Sequence, residues 1–310
     1  TTMNTTVIDS SEFIKVLSDG SVERHIPTSA PASLDLYQGY KCKDVTIDSK
    51  KPITARMFIP TTTNAVTLPV LVYFHGGGFC IGSTTWLGYH HFLGDLSAIT
   101  ESIVLSVDYR LAPEYKLPIA YQDCYTSLIW LSQQKNTEPW LDNADLSRVF
   151  LSGDSAGGNI VHHVTITAIR DKQCPVTIKG ILPIHPYFGS EKRTELETKE
   201  GSVDEVKSND MFWRLSIPEG SNRDYYGCNL EKMEVFETEW SRFPKVIVFV
   251  AELDFLKERG VMYAEFLKKK GVNVKLYETI DEKHVFHVFR PDCEAARLLE
   301  KKMKEFIYTV

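Results

Sequence analysis

The chain has no cysteine or histidine spacing that is typical of a metal site or a disulfide framework. Its six cysteines are scattered over 310 residues, and no Cys-x-x-Cys pair occurs. In a chain of this length, scattered cysteines are more often reduced residues than disulfide partners. We therefore expect free thiols and no bound metal.

Long apolar runs are missing as well. No apolar span of about 18 residues occurs, and the first 30 residues contain no continuous apolar segment. These absences predict a protein without a membrane span or a signal peptide, located in the cytoplasm. An excess of basic residues is also absent, since the net charge is −6 and the pI is near 5.9. We therefore expect neither a nucleic-acid partner nor a membrane partner.

Internal repeats, low-complexity tracts and linkers are absent too. A content of 43% hydrophobic and 25% charged residues is ordinary for a globular protein that buries a sizeable core. Short apolar segments alternate with segments of helical spacing. We predict strands near 44–59 (a hairpin), 66–74, 102–109, 148–152, 178–184, 245–250 and 272–278, and helices near 90–100, 117–134, 159–171, 208–215, 256–270 and 292–307.

This alternation predicts a single α/β domain over residues 1–310, with a mostly parallel central sheet and helices on both of its faces. The polar stretches at about 1–40 and 188–242 do not fit the alternation. We expect both to form caps over the carboxyl edge of the sheet, where open α/β sheets bind their ligands.

Residues 153–157 read Gly-Asp-Ser-Ala-Gly and lie between an apolar strand and a segment of helical spacing. A Gly-x-Ser-x-Gly sequence in this setting is typical of a nucleophile elbow, a sharp turn that lifts the serine hydroxyl above the sheet edge. A Cβ at Gly153 or Gly157 would collide with the strand or the helix. The alternative is a glycine-rich turn without chemistry, and only remote partners of Ser155 decide between the two.

A serine hydroxyl needs a base, and in this type of fold an acid and then a histidine follow the serine along the chain. His284 lies in the loop after the last predicted sheet strand and is the favoured base. The alternative is His287, three residues further on. His185 follows the strand after the elbow and could line the pocket. His162 and His163 belong to the elbow helix and point away from the turn, so we expect packing or surface roles for them.

The orienting acid should follow the strand that precedes this histidine, where Glu252 and Asp254 are available. Asp254 lies further into the loop and is the favoured residue to hold the imidazole tautomer and stabilise the imidazolium. It could instead be an N-cap for the helix at 256–270.

Residues 75–78 read His-Gly-Gly-Gly and follow a predicted strand. Bare glycine backbone lets N–H groups come close to a developing oxyanion, so we predict an oxyanion hole formed by Gly77, Gly78 and Ala156. A glycine triplet can also bind phosphate, but this one has no Gly-Lys-Ser/Thr sequence and no helix immediately after it.

Together these segments resemble the plant carboxylesterases of the hormone-sensitive-lipase-like branch of the α/β-hydrolases. The similar blocks are His-Gly-Gly-Gly-Phe at 75–79, Asp-Tyr-Arg-Leu-Ala-Pro-Glu at 108–114, Leu-Pro-x-Ala-Tyr at 117–121, Gly-Asp-Ser-Ala-Gly-Gly-Asn at 153–159, Phe-Trp-Arg-Leu-Ser-Ile-Pro at 212–218 with Arg-Asp at 223–224, and Lys-His-x-Phe at 283–286. The resemblance runs from about residue 12 to the C-terminus. It implies an α/β-hydrolase fold and the triad Ser155, Asp254 and His284. It also implies structural roles for Asp154 and Glu114, and a lid and substrate pocket formed by the N-terminal segment and residues 188–242.

The favoured function is a serine carboxylesterase that hydrolyses a small-molecule ester through an acyl-enzyme, without a cofactor. Two alternatives stay open. Some relatives of this type keep the triad but carry out decarboxylating ester cleavage, dehydration or cyclisation on alkaloid or flavonoid substrates. The gibberellin receptors have lost the catalytic histidine and bind a hormone without turnover, and the presence of His284 here favours an enzyme.

We expect a small-molecule ester or a plant metabolite as the partner, and a monomer or a homodimer as the assembled state. Candidate substrate-binding residues are the aromatic and apolar side chains near the glycine loop and the caps, each of which could equally belong to the core. They are Phe79, Ile81, Trp86, His185, Tyr187, Phe188, Phe212, Trp213, Val285 and Phe286.

Overall fold

The structure, a computed structural model, describes residues 5–34 and 39–310. Its strands are β1 (Val7–Ser10), β2 (Ile14–Leu17), β3 (Val22–Arg24), β4 (Tyr40–Asp48), β5 (Ile53–Pro60), β6 (Leu68–Phe74), β7 (Ile103–Asp108), β8 (Ala144–Asp154), β9 (Ile178–Ile184), β10 (Lys245–Ala251) and β11 (Val274–Thr279). Its α-helices are α1 (Leu87–Thr100), α2 (Ile119–Gln134), α3 (Ala156–Arg170), α4 (Val203–Ser216), α5 (Glu237–Trp240), α6 (Lys257–Lys269), α7 (Phe286–Phe289) and α8 (Glu294–Thr309).

Strands β4 to β11 form one sheet in the order β11-β10-β9-β8-β6-β7-β5-β4. Strands β6 to β11 run parallel to their neighbours within that group. Strand β5 pairs antiparallel with both β4 and β7, and the predicted hairpin at 44–59 is this β4–β5 edge. The prediction of a mostly parallel central sheet, made from the alternation of strands and helices, is confirmed.

Strand β6 shows how one apolar run supplies two cores. All seven of its residues are buried. Val70 and Val72 pack on one face with α2, α3 and α6, whereas Leu71 and Tyr73 pack on the other face with α1 and α8. Successive side chains of a strand point to opposite faces, so a strand covered on both sides is apolar throughout. No helix in the described residues has the length and apolarity needed to cross a membrane.

The parallel strands bring four distant segments to one edge. Strand β6 ends at Phe74, β8 at Asp154, β10 at Ala251 and β11 at Thr279. Because these strands are parallel, the glycine loop, Ser155, the acid loop and the histidine loop all leave the sheet at its carboxyl edge. The topology therefore assembles the candidate site from parts of the chain that are far apart in sequence.

Both irregular stretches reach this edge. Residues 5–34 contain a three-stranded antiparallel sheet, β1-β2-β3, which the sequence interpretation did not include. The segment is fastened to the start of α1 by hydrogen bonds from the N–H of Leu87 to the carbonyl of Thr28 and from the N–H of Ala30 to that of Thr85, at 2.9 and 2.8 Å. In the second stretch, α4 begins at Val203 and is longer than the predicted helix at 208–215.

Candidate active site

Ser155 occupies the turn between β8 and α3, where its backbone has φ 54° and ψ −116°. A non-glycine residue held in such a region costs on the order of 1–3 kcal/mol. The turn can be this tight because Gly153 and Gly157 have no Cβ. A Cβ on either would overlap the carbonyl oxygen of Phe74 on the neighbouring strand. The elbow therefore holds the Ser155 side chain at the sheet edge in one strained conformation.

His284 joins Ser155 to Asp254. Its Nε2 lies 3.0 Å from the Ser155 hydroxyl oxygen, and its Nδ1 lies 2.7 Å from Oδ2 of Asp254. The other carboxylate oxygen of Asp254 accepts the N–H of Leu256 at 2.8 Å, directly ahead of α6. The carboxylate thus contacts both His284 and the N–H of Leu256; Leu256 is itself the N-cap residue of α6, so Asp254 lies two residues ahead of the N-cap position named as its alternative role. Glu252 is exposed and accepts the N–H of Asp281 instead.

Asp254 and His284 each stabilise the charged form of the other. Burial alone would raise the pKa of Asp254, but the nearby His284 outweighs burial and lowers this pKa below its ordinary value. Burial alone would lower the pKa of His284, but Asp254, assisted by Asp154, outweighs burial and raises it. The Asp254 side chain is only 2% exposed, whereas that of His284 is 32% exposed. The result is an ionised buried acid behind a histidine that can take up a proton.

The other candidate histidines lie elsewhere. In the described part of the chain, neither His287 nor His185 is hydrogen-bonded to the elbow serine. His287 is buried with its Nε2 3.2 Å from the hydroxyl of Tyr73. His162 and His163 are both buried in the packing of α3, in agreement with the packing role expected for them.

The glycine loop leaves backbone donors free. Gly77 and Gly78 have φ of 114° and 58°, and a Cβ on either would overlap the carbonyl oxygen of Ile81 or the ring of Phe212. Across residues 5–34 and 39–310, no acceptor lies within hydrogen-bond reach of the N–H groups of Gly77, Gly78 and Ala156. Free, preorganised donors of this kind can stabilise developing negative charge.

Asp154, the residue before Ser155, holds the start of the glycine loop. Its carboxylate accepts the hydroxyls of Tyr73 at 2.6 Å and Tyr89 at 2.8 Å, and the N–H of Gly76 at 3.2 Å. Burial raises the pKa of Asp154, against the lowering effect of the two hydroxyls. This buried acid therefore ties the start of the glycine loop to the elbow, a structural arrangement of the kind that the family resemblance implied.

Glu114 acts at a greater distance, through Arg24. The guanidinium of Arg24 donates two hydrogen bonds to the Glu114 carboxylate, at 2.7 and 2.8 Å. It also donates to the carbonyl oxygens of Cys80 at 2.6 Å and Ala112 at 2.9 Å. The pair fixes β3 of the N-terminal sheet to the segment that follows the glycine loop, so Glu114 holds a cap in place.

A cavity of about 680 Å³ opens beside Ser155 and His284. Both irregular stretches contribute to its wall, through residues 11–13 and 27–28 on one side and α4 on the other. Five predicted pocket residues line it. These are Ile81, Trp86, Tyr187, Phe212 and Val285.

The other five predicted pocket residues are buried in the core instead, and the structure corrects that part of the prediction. They are Phe79, His185, Phe188, Trp213 and Phe286. The ring of Trp213 stacks on that of Tyr187 with 4.2 Å between the ring centroids, and its centroid lies 5.7 Å from that of Phe79. These rings therefore support the pocket wall from the core side. An apolar aromatic side chain suits a core and a pocket equally well, and its sequence position does not tell which it joins.

Several lining residues were missed by the sequence interpretation. They are Ser11, Glu12, Phe13, Pro27, Thr28, Leu87, Gly88, Tyr89, Glu205, Ser208, Asn209, Leu253, Phe255, Leu256, Lys283, Val288 and Phe289. One signal was available on α4, where Glu205, Ser208, Asn209 and Phe212 follow the i, i+3, i+4, i+7 spacing of a single helix face.

The ligand atoms of His185, Asp254 and His284 lie within 4.8 Å of one another. Both nitrogens of His284 are hydrogen-bonded, to Asp254 and Ser155, and Nδ1 of His185 accepts the N–H of Val285. Both nitrogens of His284 and Nδ1 of His185 are therefore already used by hydrogen bonds to the protein, whereas Nε2 of His185 has no partner among the described residues.

Known proteins share this architecture. A family model described as the alpha/beta hydrolase fold matches residues 71–288. The chain is 42% identical to probable carboxylesterase 6 of Arabidopsis thaliana over 265 residues. These residues make up 82% of this chain and 78% of that protein. The chain is 37% identical over 289 residues to the amyloplastic tuliposide A-converting enzyme b1 of Tulipa gesneriana, covering 91% and 74%. Among solved structures, an esterase of Pyrobaculum calidifontis matches with a TM-score of 0.71 and 28% identity, covering 86% of this chain and 84% of that one. The chain therefore belongs to the α/β-hydrolase fold family and, within it, to the plant carboxylesterases.

Proposed function

We propose that this protein is a serine carboxylesterase that cleaves a small-molecule ester through an acyl-enzyme, with Ser155 as nucleophile, His284 as base and Asp254 as orienting acid. The activity class is that of the Arabidopsis relative and the archaeal esterase, as their names give it. One observation carries the residue assignment: an unbroken hydrogen-bond chain from Asp254 through His284 to Ser155 opens into the same cavity as a glycine loop with free N–H groups.

In the first half of the reaction, the Ser155 oxygen attacks the ester carbonyl carbon while Nε2 of His284 removes the hydroxyl proton. The carbonyl oxygen becomes an oxyanion, which the N–H groups of Gly77, Gly78 and Ala156 bind. When the tetrahedral intermediate collapses, the bond to the alcohol oxygen breaks and His284 returns its proton to that oxygen. The alcohol leaves and the acyl group remains on Ser155.

In the second half, water takes the place of the alcohol. His284 removes a proton from the water as its oxygen attacks the acyl carbon, and the same N–H groups bind the second oxyanion. Collapse breaks the bond to Ser155, whose oxygen recovers the proton from His284, and the carboxylic acid leaves. Only neutral His284 can start either half, so the rate should rise with pH through the raised pKa of His284.

The direct test replaces Ser155 by Ala. If the three residues act as a unit, the kcat for p-nitrophenyl butyrate should fall on the order of 10⁶-fold. Ser147→Ala, at the exposed opposite end of β8, serves as the control and should keep the wild-type rate. Intact-protein mass spectrometry after treatment with a fluorophosphonate should show one adduct in the wild type and in Ser147→Ala, and none in Ser155→Ala. Ester hydrolysis that persists in Ser155→Ala would sink the assignment.

A second candidate function uses the same residues on a specialised plant metabolite. The similarity to the tulip enzyme, which is named for conversion of tuliposide A, favours this alternative. Incubation with a panel of plant methyl esters, acetates and alkaloid precursors tests it, because mass spectrometry separates hydrolysis from loss of water or CO₂. If every accepted substrate is only hydrolysed, the specialised-metabolite function is excluded in favour of simple ester hydrolysis.

A hormone receptor without turnover is the third function class considered. The hydrogen-bonded position of His284 disfavours it, since a binding protein has no need of an ionised acid behind a base. Absence of both burst and turnover with p-nitrophenyl acetate in folded protein would support the receptor. The cytoplasmic location, the small-molecule partner and the monomeric or homodimeric state stay predictions.

A further inference from the structure

The residue after His284 has an unusual backbone. Val285 has φ 49° and ψ 39°, the left-handed region, which is an outlier for a β-branched side chain. Such a conformation persists only where the surrounding structure fixes it. The N–H of Val285 donates to Nδ1 of His185 at 2.9 Å. This hydrogen bond holds the chain in the strained turn directly beside the proposed base.

The other side of His284 is fixed differently. The carbonyl oxygen of Glu282 accepts the N–H of Leu253 at 2.9 Å, and the N–H of Asp281 donates to Glu252 at 3.0 Å. These bonds tie the chain before the histidine to the acid loop. The histidine loop is thus attached at two places, and His185 provides the attachment after His284.

His185 is itself rigidly placed. It follows β9 with φ 47°, its N–H donates to the carbonyl of Phe249 on β10 at 2.8 Å, and its side chain is buried outside the cavity. Its ring lies 5.7 Å from that of His284, 5.7 Å from Phe286 and 5.9 Å from His287. The imidazole therefore contacts the histidine loop from the core side.

The hydrogen bond fixes the protonation state of His185. Because Nδ1 accepts a proton donor, the ring hydrogen must be on Nε2, and the imidazole is neutral. Burial lowers the pKa of His185 to about 3, with a further contribution from His284. Of the titratable groups nearby, His284 adds to this lowering and Asp254 opposes it, and His287 is itself buried with a lowered pKa, so His185 stays a neutral acceptor near neutral pH.

We propose that His185 is a positioning residue for ester cleavage, which acts through the N–H of Val285 to hold His284 within reach of both Ser155 and Asp254. The proposal rests on the function proposed for His284. Without the acceptor, Val285 can relax out of the left-handed region, and the His284 ring moves with it. A displacement of about 1 Å at a reacting group costs on the order of 10²-fold in rate.

The test compares two substitutions of similar shape, His185→Asn and His185→Leu. The amide oxygen of Asn can take the place of Nδ1 as acceptor, whereas Leu offers none. We expect His185→Leu to lower the kcat for p-nitrophenyl butyrate about 10²-fold with KM changed less than about 3-fold. His185→Asn should recover at least about a tenth of the wild-type kcat. The acidic limb of the pH profile should shift to lower pH in His185→Leu, because a His284 ring displaced from Asp254 loses part of the interaction that raises its pKa, and it should stay near the wild-type position in His185→Asn.

The control for loss of a buried imidazole is His162→Leu on α3, which removes a hydrogen bond to Tyr263 away from the cavity. It should lower the melting temperature and leave kcat unchanged. A wild-type kcat in folded His185→Leu, or equal losses in the Asn and Leu variants, would overturn the proposal. If His185→Leu does not fold, His185→Phe, which keeps the ring volume, is compared with His185→Asn in the same way. A wild type without esterase activity would refute the proposed function itself, a different outcome from an active wild type with an unaffected variant.

Discussion

Replacing Asp254 by Asn tests the electrostatic part of the site. The carboxylate lies 2.7 Å from Nδ1 of His284 and its side chain is 2% exposed, so solvent screens the pair weakly. At an effective dielectric constant of about 20, the attraction between the imidazolium and this carboxylate is roughly 6 kcal/mol. In the proposed mechanism at a pH above the pKa of His284, the imidazolium forms only while His284 holds the serine proton, so this attraction stabilises the transition state selectively. We expect Asp254→Asn to lower kcat on the order of 10⁴-fold, which corresponds to about 5 kcal/mol.

The same variant should move the pH profile. In the wild type, Asp254 raises the pKa of His284 against burial, and burial alone would lower it. With Asn the burial effect remains and the charge is gone, so the pKa of His284 falls. Since neutral His284 is the active form, the acidic limb of kcat/KM should shift to lower pH while the plateau drops. Hydrolysis of p-nitrophenyl butyrate between about pH 5 and about pH 9 measures both effects.

Glu252→Gln is the matched control, since Glu252 is two residues away, exposed and bonded to the N–H of Asp281. It should keep kcat within about 3-fold and leave the limb in place. The reasoning is refuted by an Asp254→Asn variant that retains more than about a tenth of the wild-type kcat, or whose acidic limb stays or moves to higher pH.

Two further substitutions probe the glycine loop and a buried acid. Gly78→Ala should lower kcat about 10²-fold, because its Cβ would overlap the Phe212 ring and displace a proposed oxyanion donor. Gly220→Ala is the control, since Gly220 also has a positive φ but lies in open space, and this variant should lose stability only. Equal kcat values in the two variants would contradict the role proposed for Gly78. Glu300→Gln should raise the free energy of unfolding by on the order of 2 kcal/mol at pH 8. Burial raises the pKa of Glu300 from 4.5 to about 7, so the folded protein favours the protonated carboxyl. As the pH rises from 4.5 through 7 this carboxyl becomes charged while buried, which destabilises the wild type but not the Gln variant. The melting temperature of the variant minus that of the wild type should therefore be larger at about pH 8 than at about pH 5, and a difference independent of pH would count against this sign.

The candidate reacting groups could be predicted from the sequence because each has a local signal. Ser155 lies in a five-residue pattern between a strand and a helix, and the glycine triplet directly follows a buried strand. Asp254 and His284 follow the ends of later strands, and parallel strands bring such ends to one edge. Chain order and strand ends were therefore sufficient to select, from nine histidines and many acids, residues that the structure brings within hydrogen-bond distance of Ser155 or of one another.

The pocket wall was predicted less well, because it depends on which side of a loop faces inward. Ile81 faces the cavity, whereas Phe79, two residues earlier, packs in the core behind it. Phe13, which lines the cavity, lies directly before β2 of the N-terminal sheet, whose short strands were not predicted. Apolar and aromatic residues are common both in cores and in pocket walls, so composition does not distinguish them.

By itself, the sequence determined the class of fold, the elbow at Ser155 and the order of acid and base, since these depend on local periodicity and on rules for parallel sheets. Only the tertiary structure decided that the Asp254 carboxylate serves both Leu256 and His284, and that Arg24 fastens the N-terminal cap through Glu114. It also decided that His185 supports the histidine loop instead of lining the pocket. Apart from the local bond between Asp254 and Leu256, these contacts join residues far apart in the chain, and their hydrogen-bond geometry exists only once the sheet and its loops are packed.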